Sequence, residues 1–325
     1  MKNVDIPFGP VPSRRLGRSV GINNIPPKVC SYTCTYCQLG RTIKLRADRS
    51  RFYGATRVIT AVEEKLRELE RAKREIDFLT FVPDGEPTLD AEIGEEILAL
   101  RRSGIKIAVI TNSSLIWKKE VREALAEADW VSLKVDTLSP KIWRLLDRPH
   151  HSLRLDHLLE GAIEFRRTYN GTLATETMLV RDINDREEEL VELTGFLSKL
   201  SPDRAYISVP TRPPAEPKVE PPEERSVTAA YQIFSETLPG AVECLVGYEG
   251  NAFASTGVAE ADILSITAVH PMRSDAVAEL LTEDGADWTA VEGLIEAGDL
   301  VQTVYRGELF YARRITPFVG SSSKH

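Results

Sequence analysis

Val29-Cys30-Ser31-Tyr32-Thr33-Cys34-Thr35-Tyr36-Cys37-Gln38-Leu39-Gly40 sets three cysteines within eight residues, spaced Cys-x3-Cys-x2-Cys. The chain has 325 residues and one further cysteine, Cys244, far away in sequence. A disulfide framework spreads paired cysteines along a short chain. This clustering reads instead as metal ligands or catalytic thiols. Structural zinc asks for four closed ligands, often as paired Cys-x2-Cys spacings or Cys-x2-Cys with histidines, and no histidine stands near the triplet. Ordinary electron-transfer clusters take four cysteines. Three thiolates instead suit three irons of a 4Fe–4S cube, with the fourth iron open to an outside ligand. Zinc or simply buried thiols are the alternatives.

Outward from the triplet the sequence becomes regular. A short strand is expected over 19–23, just before the cysteine loop. Val62, Leu66, Leu69 and Ala72 then recur at helical spacing. Strand-like apolar runs follow at 77–82, 105–110, 130–135, 173–180 and 204–209. Between them lie helical patterns marked by Ile93, Ile97 and Leu100, by residues 118–128, by Leu155, Leu158, Leu159 and Ala162, and by Leu190, Leu193, Leu197 and Leu200. A further helix is expected over 223–236. Near-continuous apolar strands with helical crossovers argue for parallel βαβ units. About six such units predict an α/β fold, a partial (β/α)6 barrel, whose chemistry sits at the C-terminal ends of the strands.

Residues 210–222 carry six prolines and exclude regular structure there. After Gly257 a second unit is expected. Ala276 and Leu280 set one helix, and Trp288, Val291 and Ile295 another. Strands at 300–304 and 309–313 flank the turn Tyr305-Arg306-Gly307-Glu308. Two helices followed by a β-ribbon predict a small winged-helix-like domain. The division is therefore 1–257 for the barrel with its cluster loop and 258–325 for the second domain and tail.

The cysteine spacing, with Tyr36 before the last cysteine, resembles the signature of the radical S-adenosylmethionine superfamily. The stretch Gly9-Pro10-Val11-Pro12-Ser13-Arg14-Arg15-Leu16-Gly17-Arg18-Ser19 resembles the lead-in of its wyosine-synthase-like branch. So do Cys37-Gln38-Leu39-Gly40, Gly85-Glu86-Pro87-Thr88, Met178-Leu179-Val180, Asn184-Asp185 and Pro210-Thr211-Arg212-Pro213-Pro214. The likeness covers roughly residues 8–257, and the C-terminal unit resembles an appendage in members of that branch. The resemblance implies a 4Fe–4S cluster on Cys30, Cys34 and Cys37, with the open iron chelated by the amino and carboxylate groups of S-adenosylmethionine. One-electron reduction would release a 5′-deoxyadenosyl radical that takes a hydrogen atom from substrate. The cofactor supplies that chemistry and the protein positions it.

The same resemblance implies that Gly85 and Glu86 meet the methionine ammonium and that Tyr36 packs near the adenine. Gly-Glu-Pro alone reads as a turn, and an aromatic in a loop as core. Asn112 and Asp136, each just past a strand, are candidates for ribose or carboxylate groups; their alternative is turn-making and helix capping. Lys134 shares a strand face with Asp136 and is a candidate for substrate binding or for pairing with a neighbour. Met178 is a candidate contact for adenosine, or core. Arg212, on the proline-rich loop, is a candidate grip for a substrate anion, or a solvated arginine. The His150-His151 pair reads as a turn.

The formal net charge of −8 hides a division. Residues 14–57 hold ten Lys or Arg against one acid, Asp48, giving +9; residues 260–315 hold eleven acids against four Arg, giving −7. Positive charge around the cysteines favours an anionic substrate, an RNA, or an acidic electron donor of the flavodoxin or ferredoxin type. Helix residues Asp287, Glu292 and Glu296 oppose DNA binding, since a duplex-reading helix needs basic side chains. An iron–sulfur-sensing DNA-binding regulator is the alternative of another class. With Cys244 the sole cysteine left, a second three-cysteine cluster cannot be built, so the chain departs from the wyosine synthases proper. No long apolar run and no apolar leader after Met1 are present, which predicts a cytoplasmic enzyme without membrane contact, and the resemblance to a 4Fe–4S family implies an oxygen-sensitive one.

Overall fold

The computed structural model describes residues 6–245, 257–267 and 271–314. A hairpin opens it, β1 (Pro7–Ser13) and β2 (Gly17–Ile22). The cysteine loop follows and carries a short parallel pair, β3 (Val29–Cys30) and β4 (Lys44–Leu45). Strands and helices then alternate: α1 (Ala55–Arg71), β5 (Phe78–Phe81), α2 (Ile93–Leu100), β6 (Lys106–Thr111), α3 (Lys119–Leu125), β7 (Trp130–Lys134), α4 (Pro140–Leu146) and α5 (Leu155–Thr168). The series continues with β8 (Thr172–Met178), α6 (Glu187–Leu200), β9 (Arg204–Ser208), α7 (Glu224–Thr237) and β10 (Val242–Leu245).

Eight of these strands form one sheet in the order β1-β2-β5-β6-β7-β8-β9-β10. All neighbours are parallel except β1 and β2. The sheet curls into an open half-barrel. One contact shows why it must. Arg15, in the turn between β1 and β2, pairs with Glu176 on β8. In a flat sheet the four strand spacings from β2 to β8 would separate them by about 19 Å. Leu16, Trp130, Ala174, Tyr206 and Leu245 close the floor of the curl in one apolar cluster.

The crossover helices bury one face each against the outside of the sheet. On α1 the inward positions are Val58, Val62 and Leu69, spaced for a helix stripe. Ser139 caps α4 and Pro140 sits at its first turn, where a missing N–H costs nothing. The expected alternation of strand and helix is present, with two strands more than the six expected. The strand expected at 19–23 lies in β2, and β1 precedes it. β1 holds Pro7, Gly9, Pro10 and Pro12, which it tolerates because it is an edge strand. The other addition, β10, is only four residues long and extends the opposite edge.

The second unit runs α8 (Ala259–Thr267), β11 (Met272–Arg273), α9 (Ser274–Glu283), α10 (Thr289–Glu296), β12 (Leu300–Tyr305) and β13 (Glu308–Arg313). Its three strands pair antiparallel in the order β11-β13-β12. Ile263, Met272, Leu280, Val291, Leu300 and Tyr311 form its separate core, which Val11 of β1 joins. At the ribbon turn, Tyr305 donates its hydroxyl to the Pro210 carbonyl (3.2 Å) at the end of β9. The tail expected within this unit, residues 315–325, lies outside the described residues.

Glu96 on α2 is buried beside Asp90. Burial, and next the Asp90 charge, push its pKa from 4.5 up to about 9, against the opposing Asn24 amide. The folded state therefore holds this proton more tightly than the unfolded chain. Stability from this group is full below about pH 4.5 and is lost as pH rises toward 9. Glu96→Gln keeps the shape and removes the titration. Its melting temperature should exceed the parent's at pH 8, with the gap closing by pH 5. An unchanged pH slope of stability would contradict the assignment.

Candidate active site

The three cysteines lie at the C-terminal mouth of the half-barrel, on a loop pinned from several sides. Cys37 N donates to Cys34 O (3.2 Å) and Gly40 N to Cys37 O (3.0 Å), which makes a tight turn. Thr35 N reaches Leu146 O (2.8 Å) below α4, and Arg46 N reaches Cys30 O (2.9 Å). Burial first, then the Glu86 charge, pushes the Cys30 thiol up to about 12. Burial, the Asp147 charge and the other two cysteines raise Cys34. Neighbouring cysteines thus add to the rise at both Cys30 and Cys34, and a bound polycation reverses that opposition.

Among the described residues no three His, Cys, Asp or Glu side chains close on one ion. A four-iron cube asks for less convergence, because it takes one thiolate at each of three corners. The donor set fits such a cluster on Cys30, Cys34 and Cys37. Cys244 lies apart on β10.

The turn after β5 packs directly beneath this loop. Glu86 N donates to Val29 O (3.2 Å), and Lys28 N donates to Asp84 O (2.6 Å). A Cβ on Gly85 would stand 1.9 Å from Val29 O, so only glycine permits this approach. The Glu86 carboxylate is buried and accepts from Thr88 N (3.0 Å), the Thr88 hydroxyl, the Thr111 hydroxyl (2.6 Å) and Asn112 N (2.8 Å). Asn112 then turns its amide toward the loop. Its Nδ2 donates to Ser31 Oγ (2.9 Å) and lies 3.6 Å from Cys30 Sγ. Both candidates at these strand ends thus meet the cysteine loop, Glu86 through its backbone and Asn112 through its side chain.

A charged column continues inside the barrel. Lys134 and Glu176 are register partners on β7 and β8, and Lys134 Nζ donates to Glu176 Oε1 (3.1 Å). Arg15 pairs with the other Glu176 oxygen from the floor, and Ser208 Oγ donates to Oε1 (3.1 Å). Burial alone would raise the Glu176 pKa, yet Lys134 and Arg15 hold it below the carboxylate range. Lys134 Nζ also sits 4.9 Å from the Tyr36 ring centroid. The Tyr36 hydroxyl lies 2.6 Å from Asp136 Oδ2 and 2.8 Å from Asp147 Oδ1. One hydroxyl proton serves only one of two acceptors. Burial, and next the Asp136 charge, raise the Asp147 pKa. Asp147 Oδ1 lies 3.4 Å from Cys34 Sγ, so the column ends at the cysteine loop.

Of the alternatives left open for Lys134, pairing with neighbours is the observed arrangement. Met178 is half-buried in a cluster with Tyr36, and its backbone N donates to Asp136 Oδ1 (2.7 Å). Arg212 is not a solvated side chain: it is buried, and its guanidinium donates to Gln38 Oε1 (3.2 Å) beside Cys37. The proline-rich loop is thereby held on the cysteine loop, where Glu216 N also donates to Thr35 O (3.0 Å). His150 and His151 stack at a surface turn. Much of the basic segment is spent on pairing: Arg18 with Glu75 and Asp77, Arg41 with Glu216, Arg51 with Glu92.

Sequence reasoning missed Asp147, Glu176 and Asn184 as members of the site. Asn184 Nδ2 donates to Asp136 O (2.9 Å) and Met178 O (2.9 Å), pinning the end of β8. Glu176 did carry a signal, a lone charge within the apolar run 173–180. Asp147 carried none, because its role depends on α4 delivering it to Tyr36.

A half-barrel with three half-buried cysteines on the loop after its first parallel strand defines a class of cofactor-dependent enzyme. The chain belongs to the radical SAM superfamily, whose family model matches residues 24–194. It is 45% identical over 311 residues to the UPF0026 protein MJ1312 of Methanocaldococcus jannaschii, covering 95% of this chain and 96% of that one. Among solved structures, a radical SAM methyltransferase from Sphaerobacter thermophilus superposes with a TM-score of 0.53 at 16% identity, over 71% of this chain and 66% of that one. SuiB of Streptococcus suis bound to S-adenosylmethionine gives 0.51 at 20% identity, over 69% of this chain and 49% of that one. The protein is therefore an enzyme, and its family uses a 4Fe–4S cluster and S-adenosylmethionine. Among the described residues no helix is long and apolar enough to cross a membrane.

Gly85→Ala should push the turn off the cysteine loop. We expect a loss of about 2–3 kcal/mol of stability by chemical denaturation, together with poorer iron retention. Wild-type stability in this variant would contradict the close approach.

Proposed function

We propose that Cys30, Cys34 and Cys37 ligate the cluster and that Tyr36, Gly85, Glu86, Asn112 and Asp136 frame the S-adenosylmethionine beside it. When bound, these groups supply a 5′-deoxyadenosyl radical by one-electron cleavage of the sulfonium, and the radical abstracts hydrogen from substrate. The observation that carries the reading is the set of three half-buried cysteines on one loop, seated on the Gly85–Glu86 turn. Gly85 permits the approach, Glu86 fixes the turn, and Asn112 faces the Cys30 sulfur. Asp136 holds Tyr36 in place, with Lys134 compensating its charge.

An anionic substrate fits best. Arg212 stands at the mouth beside the cysteine loop. Because many arginines of the basic segment are held by carboxylates, a broad phosphate-binding face for RNA finds less support than a small anion. Modification of tRNA or of a peptide is the second reading, favoured by the stretches shared with the wyosine-synthase-like branch. The element order of the second unit and its β11-β13-β12 sheet support a winged-helix-like domain spanning 258–325. With Glu292 and Glu296 on α10 and no basic residue there, a packing or protein-contact role suits it better than DNA binding.

Anaerobically reconstituted protein given dithionite and S-adenosylmethionine should form 5′-deoxyadenosine. Cys34→Ala should abolish it. Full turnover in that variant, or bound zinc without labile sulfide in the parent, would sink the assignment. Small-anion, tRNA and peptide pools should then be compared for stimulation above the uncoupled rate. The small-anion pool is expected to stimulate, and stimulation by tRNA alone would favour the second reading.

A further inference from the structure

The cysteine loop has two limbs, 28–30 leading in and 37–44 leading out. The Gly85–Glu86 turn grips the first, through Val29 O. A single residue grips the second. Lys28 is buried, and its Nζ donates to Gly40 O (3.0 Å), three residues beyond Cys37. The same Nζ lies 3.8 Å from Oδ1 of the buried Asp84, the residue before Gly85. The Lys28 main chain repeats the tie. Its N–H donates to Asp84 O (2.6 Å), and its carbonyl accepts from Ile43 N and Lys44 N (3.1 and 3.0 Å). Both limbs of the loop and the turn beneath it thus meet at one residue.

The backbone shows what the position is kept for. Lys28 has a φ of 62°, in the left-handed region that glycine occupies without steric cost. At the other left-handed position of the loop, Gly40 with a φ of 80°, the chain does use glycine. A lysine held in this region is strained, and such strain persists where the surrounding structure requires it. If the turn alone mattered, glycine would make it more easily. The side chain is therefore what residue 28 supplies. Its ammonium is buried, which is costly without an opposite charge, and Asp84 provides one. Arg313 of β13 is a second positive charge acting on that carboxylate.

We propose that Lys28 is a positioning residue for S-adenosylmethionine binding: its ammonium, set between Gly40 O and Asp84, clamps the outgoing limb of the cysteine loop onto the turn that frames the cofactor. This rests on the cluster and S-adenosylmethionine reading above and deepens it. In that reading the cofactor has partners on both pieces, the loop and the Gly85–Glu86 turn, so their relative placement sets its affinity. Gly85 and Glu86 fix that placement beside Cys30. Lys28 fixes it on the side of Cys37. Without the ammonium the loop is free to tilt about its first limb, and Cys37 moves relative to the turn.

Two variants separate the ammonium from the backbone and from the charge balance. Lys28→Gly relieves the left-handed strain while removing the ammonium. Lys28→Met/Asp84→Asn removes both buried charges together. In the apo-protein of each, amide hydrogen exchange over 38–42 should quicken while β5 and β6 stay protected. In the reconstituted holoenzyme, the S-adenosylmethionine concentration that half-converts the electron paramagnetic resonance signal should rise about tenfold, the loss of one charge-assisted hydrogen bond. The cleavage defect should be carried by KM rather than kcat. Parent-like half-conversion in both variants would overturn the proposal. So would a lowered melting temperature with parent-like exchange over 38–42, because that assigns Lys28 to folding alone. If a variant does not retain iron, the apo-protein exchange decides between the same two results. Failure of the cluster reading is a separate outcome, in which the parent itself shows no signal that S-adenosylmethionine changes.

Discussion

The Glu86 carboxylate gathers donors from the turn after β5 and from the end of β6, while its own backbone N–H grips the strand that carries Cys30. Burial raises its pKa, and the hydrogen bonds from Thr111, Thr88 and Asn112 oppose that shift. Hydrogen bonds to a charged group contribute about 1.5–3 kcal/mol each, so a buried carboxylate with four donors is a strong local tie. It sets the height of the cysteine loop over the barrel. Asn112 can face Cys30 only because its backbone is held by the same carboxylate. The missing Cβ of Gly85 is the steric half of one constraint, and Glu86 is the polar half.

A second tie runs along the barrel axis. Arg15, Glu176 and Lys134 place opposite charges in contact within a buried space, where an unpaired charge would cost several kcal/mol. The column links the floor of the half-barrel to Tyr36, Asp147 and Cys34. It thereby couples the closure of the curl to the position of Cys34. A polar interior of this kind forgoes some apolar burial and leaves room for a polar cofactor. The apolar floor around Trp130 and Tyr206 keeps that polar space at the mouth.

The cysteine triplet was legible because three clustered thiols with no fourth ligand nearby read against a disulfide framework and a closed four-ligand site. The inner strands were legible because parallel strands buried on both faces read as apolar runs. The edges were not. The prolines of β1 obey an edge-strand rule that only pairing reveals, and β10 is too short to show a period. Glu86 and Asn112 were found as strand-end residues, but their dependence on one another needs coordinates. Asp147 acts through a segment distant in sequence, so no local pattern marks it, and Asn184, quoted only within a motif, gave no sign of its bond to Asp136 O. The basic segment misled most: a count of ten positive residues suggested a charged face, whereas several are consumed by Glu75, Glu92 and Glu216. Charge becomes a surface property only after internal pairing has been subtracted.

The central claim is that three thiols hold a cluster with one iron open to S-adenosylmethionine. Electron paramagnetic resonance of the dithionite-reduced, reconstituted protein tests it most directly, recorded with and without S-adenosylmethionine. The account predicts the signal of a reduced 4Fe–4S cluster whose line shape changes when S-adenosylmethionine binds the open iron. A cluster signal that is indifferent to S-adenosylmethionine, or no cluster signal at all, would contradict it.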